Sequence, residues 1–248
     1  MSVNKLLTLT AVGVASLGVA AAALAGGPEY APAPSYAGIY LEGNVGYAAR
    51  NWLKSAPTPF GISNLSNVSG GGIASTSNLR GGFTGGVDVG YQFNQYFAVE
   101  AGWMYLPRAK ATFNTSDATF NAVNSQSVAT PFTASVNSGL AYGAFKMSAP
   151  VYENTYIFGK LGAGYVYNRA QGLPAGVTFS STNGSAGVTC SNYWNPLWAA
   201  GVQYYFNPSL SVNFQYMNIA GYSKASSKNF AAPSTNLFTV GLGYKFLM

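Results

Sequence analysis

The clearest feature of the chain is an alternation of large apolar residues with small or polar ones. Near the C-terminus every second residue is large and apolar: Phe238, Val240, Leu242, Tyr244, Phe246 and Met248. Between 238 and 246, the positions in between carry Thr239, Gly241, Gly243 and Lys245. A period of two places these two sets on opposite faces of a β-strand, so this segment is predicted to be a strand with one apolar face.

The same alternation predicts eight strands in all. Their approximate ranges are 38–47, 83–93, 97–105, 139–149, 157–167, 198–206, 210–216 and 238–248. The fourth is the least regular, and it is oriented with Lys146 inward because a charged side chain does not face lipid. Strands of about ten residues are long enough to cross a bilayer at a tilt.

The connections between the predicted strands alternate between short and long. Short turns are expected at 94–95, 150–155 and 207–209, and outer loops at about 50–80, 107–137, 168–195 and 219–235. Short periplasmic turns with long outer loops are typical of an outer-membrane barrel. The predicted fold is therefore an all-β, eight-stranded antiparallel up-and-down transmembrane β-barrel over 36–248, with periplasmic N- and C-termini.

The composition favours a surface that meets lipid. Only 7% of residues are charged, against about 25% in ordinary soluble domains. The alternative is a soluble sandwich or a lipocalin-like barrel. In such a fold the strand face opposite the large apolar residues should carry Lys and Glu, whereas here it carries Gly, Ser and Asn. The chain contains no His and one Cys, which excludes imidazole catalysis, an internal disulfide and a Cys-cluster metal site. No cofactor, metal site or catalytic residue is predicted.

The N-terminus has the three parts of a secretory signal peptide. Lys5 precedes an apolar stretch over 6–24, and Ala23-Leu24-Ala25 supplies an A-x-A cleavage site. We expect a signal peptide over 1–25 and a periplasmic segment over 26–35, with the mature protein in the bacterial outer membrane. An uncleaved membrane anchor is the alternative, since about 20 apolar residues can span a bilayer.

The lumen-facing positions of the predicted strands include six charged residues. They are expected to form one layer in the lower half of the lumen: Glu42, Asp88, Glu100, Lys146, Lys160 and Lys245. Charges inside so narrow a barrel are largely desolvated and need partners. Pairs are expected between Glu100 and Lys146 and between Glu42 and Lys245, with Asp88 and Lys160 joining the network. The alternative is that nearby glycines admit water and the charges are only hydrated.

Two further sets of residues are expected near the membrane boundaries. On the apolar parity, a periplasmic girdle would contain Phe93, Phe97, Phe206 and Phe246, and an outer girdle Trp103, Tyr105, Tyr165, Tyr167 and Trp198. An outer basic rim would contain Arg50, Lys54, Arg80, Arg108, Lys110, Arg169, Lys224 and Lys228. Outer-membrane lipid and the phosphates of lipopolysaccharide are the expected partners of this rim. The alternative is that the rim is only a solvated loop surface. Nucleic acid is not expected as a partner.

Several of these segments resemble small eight-stranded outer-membrane barrels of Gram-negative bacteria, of the OmpA-like transmembrane and opacity-protein type. The resemblance is carried by 40–47 (YLEGNVGY), 89–94 (VGYQFN) with 99–103 (VEAGW), 158–165 (FGKLGAGY) and 240–246 (VGLGYKF). It implies folding by the barrel-assembly machinery, which reads a terminal aromatic residue; here Phe246 is followed by Leu247-Met248. No peptidoglycan-binding domain follows the barrel, so no cell-wall anchoring is expected.

The leading functional hypothesis is a non-enzymatic barrel that displays four surface loops, with its lumen closed by the charged layer. Adhesion, another contact with a host or surface ligand, or envelope integrity would fit this hypothesis. The alternative is a small or gated pore, although open aqueous channels use about 16 strands. An enzyme is not expected, because the known barrel enzymes that this chain resembles in size rely on His. Cys190, in the third loop, is expected to be a free thiol or to form an intermolecular disulfide.

Overall fold

The computed structural model describes residues 37–52, 72–114, 132–172, 191–222 and 231–246. The predicted signal peptide over 1–25 and the segment over 26–35 lie outside these ranges. So do Lys54, Asp117, Cys190, Lys224 and Lys228. Among the described residues there is no helix that is long and apolar enough to span a bilayer.

The described residues form nine β-strands and close into a barrel. The strands are β1 (Gly38–Arg50), β2 (Gly72–Ser77), β3 (Gly81–Gln92), β4 (Phe97–Asn114), β5 (Phe132–Tyr152), β6 (Thr155–Gln171), β7 (Tyr193–Tyr205), β8 (Leu210–Ile219) and β9 (Thr235–Lys245). Eight of the strands form a ring in which each pairs antiparallel with two neighbours, and β1 closes the ring by pairing with β9. β2 pairs only with β4, which therefore has three partners. The predicted eight-stranded antiparallel barrel is confirmed.

The three short turns lie at one end of the barrel, which we call the turn end, together with Gly38 and Phe246. At 93–96, the Asn94 side-chain oxygen accepts hydrogen bonds from the backbone N–H groups of Tyr96 (2.8 Å) and Phe97 (3.0 Å). Asn207 caps the β7–β8 turn in the same way. Asn at these positions thus closes each turn with its own side chain. We call the opposite end the loop end.

The strands continue further towards the loop end than the sequence pattern predicts. β4, β5 and β6 contain 18, 21 and 17 residues, so strand residues occupy parts of the segments expected as loops at about 107–137 and 168–195. The loop was expected to begin at about 107, but β4 passes Pro107 through a bulge between Leu106 and Ala109. Bulges are among the few positions at which a strand tolerates Pro.

Pro196 likewise lies inside a strand that was expected to begin at 198. The last pair between β7 and β8 joins Leu197 to Ile219. Pro196 is one residue beyond that pair and therefore occupies an edge position on the β8 side, where its missing N–H is tolerated.

The extra strand β2 lengthens the barrel wall on one side. It pairs with the loop-end part of β4, from Gly72 opposite Asn114 to Ser77 opposite Lys110. Because β8 and β9 contain only 10 and 11 residues, the wall formed by β2, β4, β5 and β6 is the taller one. A membrane strand needs about 9–11 residues, so this wall continues well beyond one bilayer thickness.

Candidate functional site

The outward face of the barrel is apolar and has aromatic residues at both ends. At the turn end, Phe93 (50%), Phe97 (41%), Phe206 (56%) and Phe246 (52%) are exposed. Towards the loop end, Trp103, Tyr105 and Trp198 are exposed and Tyr165 and Tyr167 are half-buried. Each of these nine residues points outward, as the sequence pattern predicted. Trp194, which is 67% exposed and contacts Tyr165, belongs with them but was missed, because β7 was expected to start later.

The inward face at the turn-end half carries the six charges that the sequence pattern assigned to one layer. Each is at most 8% exposed: Glu42, Asp88, Glu100, Lys146, Lys160 and Lys245. Phe145, next to Lys146, is exposed, which agrees with the expected orientation of β5. We call these six residues the charged layer.

Glu100 is the centre of the charged layer. Lys146 Nζ lies 3.3 Å from its Oε1 and Lys160 Nζ 2.5 Å from its Oε2. Lys146 and Lys160 are directly opposite each other on β5 and β6, a pairing of like charges that would be unfavourable alone. The Glu100 carboxylate lies between the two ammonium groups and relieves their repulsion. The expected pair of Glu100 with Lys146 is therefore present.

Two further contacts fix this cluster. The Tyr40 hydroxyl donates to Glu100 Oε1 at 2.5 Å, and Lys146 Nζ donates to Gln203 Oε1 at 3.0 Å. Lys146 Nζ also lies 4.6 Å from the centroid of the Phe158 ring, a cation–π distance. Side chains from four strands besides β4 thus hold Glu100 and its lysines in place.

The expected pair between Glu42 and Lys245 does not form. Lys245 lies opposite Tyr40, whereas Glu42 lies opposite Gly243, and Lys245 Nζ donates instead to Gln92 Oε1 at 2.9 Å. The Lys245 ammonium also lies 5.3 Å from the Tyr205 ring centroid, at the turn end. Lys245 therefore closes the mouth of the barrel, and within the described residues Glu42 is left without a cationic partner.

The loop-end half of the lumen is filled by apolar side chains, which the expectation of small or polar inward residues did not include. We call this group the apolar layer, and all of its members are at most 2% exposed: Met104, Leu106, Leu140, Val166, Leu197, Met217 and Leu237. They belong to one continuous cluster that extends to Trp52, Leu79 and Phe132 at the loop end. An eight-stranded barrel is just narrow enough for side chains to fill it, and the apolar layer occupies the loop-end half of the described lumen.

Arg50 is a buried residue of the loop-end mouth and not an exposed member of the rim. It is 1% exposed because its position at the end of β1 has inward parity, like Ala48. Its guanidinium donates to Asn168 Oδ1 at 3.1 Å and lies 4.9 Å from the centroid of the Trp52 ring. Asn168 also accepts from Ser138 and donates to the Ser191 carbonyl.

The remaining described rim residues lie on the surface. Arg80, Lys110 and Arg169 are exposed, and Arg108 is half-buried and donates to Ser135 Oγ at 2.8 Å. The carboxylates that the structure describes are Glu42, Asp88 and Glu100 in the charged layer and Glu153 in a turn. The described part of the loop end is therefore positively charged.

The closed eight-stranded ring, its apolar outward face and its aromatic girdles define a membrane-spanning β-barrel. The sequence matches the family model of the OmpA-like transmembrane domain over residues 60–248. Because this match covers more than half of the chain, the protein belongs to the OmpA-like transmembrane domain family. Members of this family are barrels of the bacterial outer membrane.

Three known proteins illustrate the similarity. An uncharacterised protein of Coxiella burnetii is 27% identical over 253 residues, covering 98% of this chain and 99% of that protein. OprG of Pseudomonas aeruginosa has a TM-score of 0.47 at 11% identity, covering 86% of this chain and 98% of that one. Ail of Yersinia pestis, solved with the heparin analogue sucrose octasulfate, has a TM-score of 0.41 at 13% identity, covering 84% and 99%.

Proposed function

We propose that the protein is a non-enzymatic outer-membrane barrel that displays its loops at the cell surface for binding. The observation that carries the proposal is the sealed interior. The apolar layer fills the loop-end half of the lumen and the charged layer fills the turn-end half. On this proposal a barrel filled in this way has no aqueous route through its described part, and the loop end is the surface that remains for binding.

The asymmetry of the two ends supports this assignment. Short turns at 93–96, 153–154 and 206–209 join strands at the turn end. Four longer connections leave the loop end, and the wall of β2, β4, β5 and β6 rises above the rest of the ring there. Long connections on a rigid scaffold are where barrels of this kind carry binding residues.

Lipopolysaccharide phosphate is the partner that we propose for the exposed rim. On β6, Tyr165, Tyr167 and Arg169 occupy alternate outward positions, so Arg169 lies directly beyond the outer girdle. Aromatic girdles sit at the level of the lipid headgroups, which brings the Arg169 guanidinium to the height of the phosphates. Arginine and phosphate form strong charge-assisted hydrogen bonds.

The display of the loops can be tested on intact cells with a pair of tagged proteins. A short epitope inserted between Asn121 and Ala122, in the connection from β4 to β5, should bind antibody added to intact bacteria. The same epitope inserted in the β5–β6 turn, between Glu153 and Asn154, should bind antibody only after lysis. Surface binding by the turn epitope together with silence of the loop epitope would overturn the proposal.

A further inference from the structure

The bulge in β4 changes which residues of the strand face outward. Before the bulge Tyr105 is exposed, whereas beyond it Ala109 is fully buried and Lys110 is exposed. The alternation changes because the register with β5 shifts by one residue between Leu106 and Ala109. A bulge inserts an extra residue and re-aims the side chains around it. Arg108 lies within the bulge, so two basic side chains come to the outer surface of the tall wall.

The Arg108 side chain is held across three strands. Its guanidinium donates to Ser135 Oγ on β5 at 2.8 Å and to Gln171 Oε1 on β6 at 3.5 Å. Gln171 Oε1 also accepts from Asn137 Nδ2 at 3.2 Å. Lys110 lies directly opposite Ser135, so the two basic side chains adjoin the same residue of β5.

Arg169 adds a third basic side chain to this outer face. It is exposed and is the outward residue of β6 that precedes Gln171, directly opposite Asn137. We call this part of the outer face of β4, β5 and β6 the basic surface, and its members are Arg108, Lys110, Ser135, Asn137, Arg169 and Gln171. It combines three cationic groups with neutral polar side chains.

The charge of the basic surface is not offset by a described carboxylate. Both salt bridges among the described residues involve Glu100 in the lumen, and Glu153 lies in a turn at the opposite end. The Ser135 and Gln171 oxygens already accept from Arg108. The basic surface therefore offers N–H donors and positive charge, which is the chemistry that binds anionic groups.

The basic surface has two rows at different heights above the outer girdle. The first row beyond Tyr167 contains Arg169. The second row contains Lys110, Ser135 and Gln171, which are paired across the three strands. Successive outward residues of a strand are about 6.7 Å apart. A ligand that contacts both rows must therefore carry anionic groups at two distances from the lipid chains.

We propose that the basic surface binds the acidic inner core of lipopolysaccharide, with phosphate at the first row and sugar carboxylates at the second. The proposal rests on the contact of Arg169 with phosphate that is proposed above, and it extends that contact outward. The first core sugars, 3-deoxy-octulosonic acids, carry carboxylates and are joined to the phosphorylated end of lipid A. Since the first row begins directly beyond the girdle, a lipid-linked anion fits better than a soluble one.

The test measures thermal unfolding of the purified, folded barrel in detergent micelles that contain one of two lipids. One is bisphosphorylated lipid A, and the other is the same lipid A carrying two of these sugar acids. The second lipid adds carboxylates and leaves the phosphates and acyl chains unchanged. A ligand that binds the folded state raises its stability with saturation. Wild-type protein should reach half-maximal stabilisation at a several-fold lower concentration of the sugar-bearing lipid.

Variants of Lys110 separate the second row from the first. Lys110→Gln should require about fivefold more sugar-bearing lipid, as expected for the loss of one basic contact with an anionic surface. Its response to lipid A alone should stay that of wild type. Lys110→Arg keeps the charge and should keep the preference for the sugar-bearing lipid. Arg169→Glu should weaken the response to both lipids, because it removes the contact at the first row.

The outcomes distinguish this proposal from the phosphate contact on which it rests. Equal responses of wild-type protein to the two lipids, or a preference unchanged in Lys110→Gln, would overturn the proposal even if Arg169→Glu weakens binding of lipid A. A wild-type response of Arg169→Glu to lipid A would overturn the phosphate contact itself. Saturable stabilisation by heparin that is lost in Lys110→Gln, without a preference between the lipids, would assign the basic surface to a soluble polyanion instead.

Discussion

At the scale of single residues, Glu100 is the side chain on which the charged layer depends. Its carboxylate accepts from the Tyr40 hydroxyl and contacts the ammonium groups of Lys146 and Lys160. A buried ion pair contributes little compared with an apolar replacement of both partners. Removal of one partner is different, because the remaining charges stay buried without compensation.

Substitution of Glu100 should therefore destabilise the barrel strongly. Glu100→Ala leaves two buried lysines facing each other, and loss of one partner of a buried pair costs about 3–5 kcal/mol. Urea unfolding in detergent micelles or vesicles, followed by tryptophan fluorescence, measures this change. Glu153→Gln is the matched control and should stay within about 0.5 kcal/mol of wild type. Equal urea midpoints for Glu100→Ala and wild type would show that the cluster is hydrated and not paired.

The charged layer also shows what a sequence reveals about individual side chains. The inward parity of all six charges follows from the period of two, and the pair of Glu100 and Lys146 follows from the neighbourhood of β4 and β5. The position of Lys245 does not follow in this way. Whether it meets Glu42 depends on the register of β1 and β9, which places it opposite Tyr40. A register shift of two residues keeps every side chain on the same face and is therefore invisible in the alternation.

At the scale of elements, the proline positions explain where the predicted strand ends differ from the observed ones. Pro107 and Pro196 lie just outside the expected strands 97–105 and 198–206 but inside the observed β4 and β7. β4 accommodates Pro107 in a bulge, and β7 places Pro196 beyond its last pair with β8. The central parts of the strands were predictable because lipid and lumen impose opposite demands on alternate residues. Beyond the membrane that constraint disappears, and the pattern no longer marks where pairing stops.

The outward-facing residues of β6 give a prediction about lipid A binding at the scale of one strand. Tyr165 and Tyr167 belong to the outer girdle, and Arg169 is the next outward residue. Arg169→Glu should weaken stabilisation of the detergent-solubilised barrel by added bisphosphorylated lipid A, because each basic residue near an anionic surface contributes about 1 kcal/mol. The measurement is the shift in unfolding temperature with lipid A concentration.

Two controls make the lipid A measurement specific. Dephosphorylated lipid A should stabilise wild-type protein and Arg169→Glu equally, because its acyl chains are unchanged and its phosphates are gone. Glu153→Gln, at the turn end, should respond to bisphosphorylated lipid A like wild type. An identical response of Arg169→Glu and wild type to bisphosphorylated lipid A would contradict a role for the rim in phosphate contact.

At the scale of the whole molecule, the barrel has two interior layers of different chemistry. The composition and alternation predicted a closed barrel and a polar lumen, and the turn-end half agrees with this expectation. The loop-end half does not, since Met104, Leu140 and Leu197 occupy inward positions there. Met104 and Leu140 lie on the inward-facing positions of the expected strands but were not singled out, because attention went to the charged inward residues. Leu197 lies one residue before the expected start of its strand at 198.

Side chains of the two layers fill the interior of the described barrel, and we propose that this interior is a packed core and not a channel. The charged layer on its own resembles a gate, since rearranged ion pairs could admit water. We propose that the apolar layer prevents such a path, because its side chains occupy the lumen independently of the charges below. Disruption of the charged layer should therefore reduce stability without opening a path for ions.

Conductance of the purified protein in a planar lipid bilayer tests this central claim most directly. Insertion of folded barrels is verified in parallel by the mobility shift on heating in detergent gels. The sealed interior predicts no steady unitary conductance for wild-type protein or for Glu100→Ala. Stable conductance steps in wild-type protein, with a size that changes in Glu100→Ala, would contradict it and would identify the charged layer as the gate of a pore.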